Sequence, residues 1–229
     1  MNLHAIFRPA LIVVDYQNDF LPPNGSLAVP DALSIAPVIN SLLSLPFDVK
    51  IATLDWHPRN HVSFAANHAE ASPFVSTALV THPQDPSRSY ETVLWPIHCV
   101  QDTFGAQHHS SLHTDKFDVT LRKGMNQDVE MYSAFYDDFQ VEDSGATALL
   151  AYKQISHVFV VGVAADYCVA ATARSAVQEG YQTYIVDNGT RPVNAASWPI
   201  EKEKLLASGV GIISSDGPEV ARVRALPSN

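Results

Sequence analysis

Cysteines and basic residues are scarce in this sequence. Its 229 residues include only two cysteines, Cys99 and Cys168, too few for a disulfide framework in a chain of this length. Lysines and arginines number 14 against 24 aspartates and glutamates, which gives a net charge of −10. Because a negative surface repels nucleic acid and anionic membranes, we expect neither as a partner.

Long apolar runs, a leader segment and internal repeats are also missing. The first ten residues lack a basic region followed by an apolar run, so we predict no signal peptide. No stretch approaches the ~20 apolar residues that a membrane span needs. With 46% hydrophobic residues and no obvious linker, the sequence predicts one domain over residues 1–229. We expect a cytoplasmic protein, small enough to enter the nucleus passively.

Apolar, β-branched runs recur along the chain and predict strands buried on both faces. These runs are 10–15, 48–54, 118–122, 157–162, 182–187 and a weaker one at 210–214. Segments with helical spacing lie at 31–45, 147–154, 169–179 and 195–207. This alternation predicts an α/β fold: a doubly wound, mostly parallel six-stranded sheet with helices on both faces. A proline-rich segment at about 64–117 breaks the rhythm and predicts an irregular excursion.

Reactive side chains follow four of the predicted strands. Asp15 follows the first, Asp55 and His57 the second, Lys123 the strand at 118–122, and Cys168 the strand at 157–162. Ligands of open α/β sheets bind at the carboxyl ends of strands. We therefore expect these side chains to meet at one edge of the sheet.

Cys168 is the candidate nucleophile. It stands at the turn from a buried strand into a helix, where backbone amides and the helix dipole are expected to lower the pKa of the thiol. The same amides could hold a developing oxyanion. Cys99 adjoins His98, but neighbouring residues of an extended chain point apart. We therefore predict that Cys99 is a small buried apolar residue.

Asp15 and Lys123 each have a structural and a catalytic interpretation. Asp15 could be a helix N-cap or a turn residue. A carboxylate at the mouth of a buried strand can also have a raised pKa and act as a general base near neutral pH. Lys123 could be a solvated lysine just past a strand end. Beside an aspartate and a thiol, however, it would stabilise the thiolate and the charge formed on attack at a carbonyl.

Asp55 and His57 also suggest a metal site. On an extended strand end, residues i and i+2 point to the same side, so both could reach one cation, with His98 and His61 as further ligands. An aspartate and histidines with an open position suit Zn²⁺, Fe²⁺ or Mn²⁺. The alternative is that the histidines are hydrogen-bonded loop residues. We prefer that alternative for His68, His82, His108, His109 and His113.

Aromatic residues near these motifs could wall a flat pocket or could belong to ordinary packing. They are Phe20, Trp56, Trp95 and Tyr132.

Five segments carry these motifs in one order: 12–20, 55–65, 94–106, 122–135 and 162–173. The last reads Gly-Val-Ala-Ala-Asp-Tyr-Cys-Val-Ala-Ala-Thr-Ala. The set resembles the nicotinamidases, within the isochorismatase-like cysteine hydrolases, from about residue 10 to about 215. The resemblance implies a Rossmann-like three-layer sandwich that hydrolyses nicotinamide to nicotinate and ammonia in NAD salvage. It also implies activity on pyrazinamide, whose ring keeps a nitrogen in the same place.

The resemblance further implies roles for particular residues. The catalytic triad would be Asp15, Lys123 and Cys168. One divalent metal, usually zinc, would be held by Asp55, His57 and His98, and in some relatives also by the counterpart of His61. The ring would lie among Phe20, Trp95, Tyr132, Val163 and Ala164. A cis peptide between Val163 and Ala164 would aim the amide of Ala164, together with that of Cys168, at the substrate oxygen. Relatives are often oligomeric, so a homo-oligomer is expected.

Three other functions remain open from the sequence. A metal-free amidohydrolase of carbamoyl or ureido substrates would share Asp15, Lys123 and Cys168 but not need the metal ligands. A catalytically silent protein that binds pyridines would need no triad. A redox-active thiol protein would need a resolving cysteine near Cys168, which the sequence lacks.

Overall fold

A six-stranded parallel sheet forms the centre of the computed structural model, which describes residues 7–227. Residues 1–6, part of the segment in which we predict no signal peptide, lie outside this range. The strands are β1 Pro9–Val14, β2 Val49–Asp55, β5 Val119–Lys123, β6 His157–Val163, β7 Gln182–Arg191 and β8 Gly211–Ile213. Their spatial order is β5-β2-β1-β6-β7-β8, and every neighbouring pair is parallel.

Strand β1 shows why the sheet is buried on both faces. All six of its residues are buried, and side chains alternate between the two faces of a strand. Leu11 and Val13 belong to one hydrophobic cluster, whereas Ala10, Ile12 and Val14 belong to another. The continuous apolar run in the sequence therefore serves two cores, one on each side of the sheet.

Helices cover both of these cores. Helices α1 (Ala36–Leu43) and α5 (Pro218–Arg224) pack on the face of Leu11. Helices α2 (Ala146–Tyr152), α3 (Ala170–Gln178) and α4 (Trp198–Ala207) pack on the opposite face. The predicted doubly wound α/β fold is thus confirmed, although the sequence did not predict α5. Within residues 7–227, no helix is both long enough and apolar enough to cross a membrane.

The segment at 64–117 is more regular than the sequence predicts. It contains an antiparallel hairpin of β3 (Thr77–His82) and β4 (Asp85–Val93), which forms a separate two-stranded sheet. The prediction of an irregular excursion is wrong for this part. A tight turn at Pro83 and Gln84 joins the strands, so the proline that appears to interrupt structure lies where a hairpin tolerates it.

Candidate active site

The strand order places the candidate residues at one point of the sheet. The chain passes from β1 outward to β2 and β5, and then returns to the other side of β1 as β6. Ligands of doubly wound sheets bind where the order reverses in this way. Asp15 follows β1, Lys123 ends β5 and Cys168 follows β6. The expected convergence at the carboxyl edge is therefore present.

Lys123 connects the acidic side chains to the thiol. Its Nζ lies 3.0 Å from Oδ2 of Asp15 and donates to Sγ of Cys168 at 3.5 Å. It also donates to the carbonyl of Met131 at 3.1 Å and makes a short ion pair with Asp55. Lys123 is 1% exposed, so all of these contacts are shielded from solvent. Burial disfavours the ammonium, but the aspartates outweigh it and hold the pKa of Lys123 well above its usual value.

Asp15 is held in place by hydrogen bonds of its backbone amide and its carboxylate to Thr53. Its amide donates to Oγ1 of Thr53 at 3.1 Å, and that hydroxyl donates to Oδ1 of Asp15 at 2.6 Å. Its φ of 48° is in the left-handed region, where aspartate is one of the better-tolerated residues. Burial raises the pKa of Asp15 to about 6, with a contribution from Asp55 and opposition from Lys123. The carboxylate is therefore suited to accept a proton near neutral pH.

Cys168 lies in a turn of π-helix, Ala165–Val169, that leads from β6 into α3. The amide of Val169 donates to the carbonyl of Ala164 at 3.1 Å, which sets the five-residue turn. Single π turns inside helices often mark functional sites. The predicted cis peptide between Val163 and Ala164 is present immediately before the turn.

The expected lowering of the pKa of the Cys168 thiol is wrong. Burial raises this pKa well above its ordinary value, Lys123 opposes the rise, and the carboxylates of Asp15 and Asp55 add to it. Proximity to a helix N-terminus is outweighed by removal of the sulfur from water. The resting thiol is therefore protonated, and its sulfur lies within 4.8 Å of a carboxylate oxygen of Asp15.

Asp55, His57 and His98 offer donor atoms that lie within 4.8 Å of one another. Nε2 of His57 is 3.5 Å, and that of His98 4.0 Å, from Oδ2 of Asp55. Both rings use Nδ1 elsewhere, His57 toward the Gly124 carbonyl and His98 toward the Pro96 carbonyl, each at 2.8 Å. A Cβ at Gly124 would lie 2.4 Å from the His57 ring, so glycine is required there. Nδ1 bonds of this kind fix the tautomer that leaves Nε2 free for a metal.

His61 lies beside this group. Its ring centroid is 4.1 Å from that of His57, and its Nδ1 is bonded to Oγ of Ser63 at 2.8 Å. Nε2 of His61 is buried without a hydrogen-bond partner within residues 7–227. Together with His57 and Glu130 it forms a second set of donor atoms within 4.8 Å of one another. An unpaired buried nitrogen is costly unless something binds it.

A cleft opens over the sulfur of Cys168 and over Asp55 and His98 of the donor group. Aromatic and aliphatic side chains form most of its wall. The lining residues are Phe20, Leu27, Val29, Asp55, Trp95, His98, Glu130, Tyr132, Ala164, Tyr167, Cys168 and Val193.

Four of the five residues expected around the ring of the substrate line the cleft, and one does not. Phe20, Trp95, Tyr132 and Ala164 line the cleft. Val163 does not, because its side chain is fully buried in the hydrophobic core on the Leu11 face of the sheet. The prediction that the side chain of Val163 lines the pocket is therefore wrong. Val163 is joined by the cis peptide bond to Ala164, which does line the cleft.

The sequence reasoning missed five lining residues. They are Leu27, Val29, Glu130, Tyr167 and Val193. Tyr167 packs edge-to-face on Trp95 with ring centroids 4.8 Å apart. Glu130 and Tyr132 stand two apart in a segment without regular structure after Lys123, and both side chains line the cleft. The spacing of two residues from Tyr132 was the sequence feature from which Glu130 could have been predicted to line the cleft.

Several residues that the sequence singles out lie away from the cleft. Trp56 is covered by the guanidinium of Arg122, 4.1 Å from its ring centroid, and is not part of the cleft wall. His68 donates to the carbonyl of Val62 at 2.7 Å, and His108 stacks on an aromatic neighbour. His109 and His113 also lie outside the lining, and His82, which we expected in a loop, is instead the last residue of β3. Cys99 is fully buried in the hydrophobic core, as predicted.

Comparisons with known proteins agree with this geometry. Residues 9–216 match the isochorismatase domain family. The chain is 40% identical over 207 residues to a nicotinamidase of Acinetobacter baylyi, covering 90% of this chain and 92% of that protein. The structure of the yeast nicotinamidase bound to the inhibitor nicotinaldehyde superposes with a TM-score of 0.84 at 35% identity, covering 90% of this chain and 99% of the other. A pyrazinamidase of Pyrococcus horikoshii in complex with zinc gives 0.70 at 30% identity, with coverages of 90% and 99%. The chain belongs to the isochorismatase family, and within that family it groups with the nicotinamidases.

Proposed function

We propose that this chain is a metal-dependent cysteine amidohydrolase that converts nicotinamide to nicotinate and ammonia through a thioester on Cys168. One observation carries the proposal: the Lys123 ammonium contacts both Asp15 and the Cys168 sulfur, at 3.0 and 3.5 Å. A buried cation that contacts both a carboxylate and a thiol suits nucleophilic attack on an amide. The names of the relatives support the substrate, and pyrazinamide is proposed as a second one.

The donor set fits a divalent cation. Asp55, His57 and His98 would hold it, and His61 offers a fourth donor atom, a nitrogen that is buried and unpaired within residues 7–227. Burial lowers the pKa of His98 to about 3, so this ring is neutral and able to ligate. We propose Zn²⁺, and Fe²⁺ or Mn²⁺ suit the same donors. When bound, the cation would supply a Lewis acid for the ring nitrogen of the substrate and thereby orient the carboxamide.

Asp15 starts the reaction as a general base. It takes the proton of the Cys168 thiol, whose sulfur lies within 4.8 Å of a carboxylate oxygen of Asp15, and the thiolate then forms a bond to the carboxamide carbon. Lys123 stabilises the negative charge that passes from carboxylate to sulfur and on to the carbonyl oxygen. The amides of Ala164 and Cys168 would receive that oxygen.

Asp15 completes the cycle as an acid and again as a base. It returns its proton to the departing nitrogen, so the C–N bond breaks and ammonia leaves the acyl-enzyme. It then takes a proton from a water that attacks the thioester, and the C–S bond breaks. Nicotinate is released, and the proton returns to the sulfur. Both cysteines of the chain are free and buried, which suits the reducing cytoplasm proposed as its location.

Ammonia release from nicotinamide by the purified protein, with and without a chelator, tests the proposal. We expect turnover of nicotinamide and pyrazinamide, loss on chelation and recovery with Zn²⁺. Turnover of carbamoyl substrates that survives chelation would instead indicate a metal-free amidohydrolase. Tight binding of nicotinamide without ammonia would indicate a pyridine-binding protein.

A further inference from the structure

Part of the wall of the cleft comes from the segment 130–132, which belongs to no helix or strand. Each of the three contributes to the site: Glu130 and Tyr132 line the cleft, and the carbonyl of Met131 accepts from Nζ of Lys123 at 3.1 Å. Among residues 7–227, no backbone–backbone hydrogen bond reaches this segment. Something other than secondary structure must hold it in place.

Strand β4 supplies two of the missing bonds at Glu130, whereas the amide of Met131 donates to the carboxylate of Glu130 at 3.0 Å. The amide of Glu130 donates to the hydroxyl of Tyr90 at 3.1 Å, and that hydroxyl donates to the Glu130 carbonyl at 3.2 Å. One phenol therefore satisfies both backbone groups of a single residue, as a neighbouring strand would. Its ring packs against Phe139 with centroids 4.8 Å apart, which fixes the direction of the hydroxyl.

A second side chain of the same strand holds the other end of the segment. Thr92 lies two residues after Tyr90, so both project from the same side of β4. Its buried hydroxyl is hydrogen-bonded to that of Tyr132 at 3.1 Å, and Tyr132 also accepts from Nε1 of Trp95 at 3.0 Å. Since β4 leads through Leu94 directly to Trp95, a single strand orients two aromatic walls of the cleft.

We propose that Tyr90 and Thr92 are positioning residues, through which the β3–β4 hairpin sets the shape of the substrate cleft. The kinetic test of this proposal rests on the proposed function, because it needs turnover of nicotinamide. Neither residue lines the cleft. They act through Glu130 and Tyr132, so their loss should loosen the fit of the ring more than it alters the chemistry at the sulfur.

Two variants and two matched controls test the proposal. Tyr90→Phe removes one hydroxyl and keeps the ring on Phe139, and Thr92→Val removes the other hydroxyl at nearly constant volume. Tyr136→Phe is the first control, because the hydroxyl of Tyr136 bonds Glu179 at 3.2 Å instead. Thr183→Val is the second control, since Thr183 is fully buried and bonds the carbonyl of Tyr181 at 3.1 Å.

We expect each hairpin variant to raise KM for nicotinamide about fivefold, the factor that one hydrogen bond is typically worth, with kcat within about twofold. The controls should leave KM unchanged. A merely structural role would lower the folded fraction, and with it the apparent kcat, at constant KM. An unchanged KM in both hairpin variants would overturn the proposal, and either variant suffices if the other does not fold.

Hydrogen exchange gives a readout that does not depend on activity. The amide of Glu130 should exchange at least about fivefold faster in Tyr90→Phe than in the parent protein or in Tyr136→Phe, because its acceptor is gone. Equal exchange rates would contradict the proposed positioning even if the parent released no ammonia. Absence of ammonia release by the parent would refute the proposed function, whereas exchange at Glu130 would still decide the role of Tyr90.

Discussion

Replacing Lys123 with methionine removes the positive charge that contacts Asp15, Asp55 and Cys168, and keeps a side chain of similar length. The ammonium is 1% exposed and lies 3.0 Å from Asp15, with Asp55 as its second carboxylate partner. Removing one member of a buried ion pair costs about 3–5 kcal/mol, because the other charge stays buried without compensation. We expect Lys123→Met to lose about that much free energy of unfolding at pH 8, measured by denaturant unfolding at constant metal loading.

The stability that Lys123→Met loses relative to the parent should decrease as the pH falls. Lys123 lowers the pKa of Asp15, which is about 6 in the intact site, so its removal raises that pKa further above the ~3.9 of an unfolded aspartate. A raised pKa in the folded state means that the ionised carboxylate destabilises the fold. That penalty is full at high pH and disappears as the pH falls through the folded pKa toward the unfolded one. The stability gap between parent and variant should therefore be smaller at pH 5 than at pH 8.

A double variant separates the effect of the lost charge on stability from the effect of altered packing. Lys123→Met with Asp15→Asn should be more stable than Lys123→Met alone, because one of the two uncompensated carboxylates is gone, yet it should release no ammonia. Lys116→Met is the control, since Lys116 is half-exposed and pairs with Asp115 on the surface, where such a pair is worth less than about 1 kcal/mol. A loss below about 1 kcal/mol for Lys123→Met, or no recovery in the double variant, would refute the reasoning.

The remaining predictions concern the sulfur, the cation and the base. Cys168→Ala should abolish ammonia release with an unchanged far-UV circular dichroism spectrum; residual turnover would point to Cys99 or to a reaction without a covalent step. His57→Ala should lower the metal content measured by elemental analysis and raise KM for nicotinamide, and no change in either would remove His57 from the proposed ligands. Below about pH 6 the value of kcat/KM should fall about tenfold per pH unit, because protonated Asp15 cannot accept the thiol proton. Asp15→Asn should cost at least about 10²-fold in kcat, and a smaller loss would argue against a general base.

The sheet and the convergence of side chains could be predicted because both depend on local pattern. Buried parallel strands read as continuous apolar runs, and residues that follow such strands must share one edge. Asp15, Lys123 and Cys168 were placed together on that ground alone. The sequence could not establish the pKa of the thiol, because burial and the carboxylates around the sulfur depend on the assembled fold.

Features that depend on distant contacts were missed. Glu130 was not singled out in the sequence, but it is 5% exposed beside His57 and His61. The β3–β4 hairpin was not predicted, since its strands are largely exposed and lack the apolar run that identifies the central sheet. The family resemblance implied that Val163 lies around the ring, whereas its side chain is buried in the core. In each case the deciding contact comes from another part of the chain.

Mass spectrometry of the protein, acid-quenched during turnover of nicotinamide, tests the central claim most directly. The account predicts a mass increase of one nicotinoyl group, located on the peptide that contains Cys168 and absent from Cys168→Ala. A steady release of ammonia with no adduct on that peptide, or with the adduct on Cys99, would contradict it.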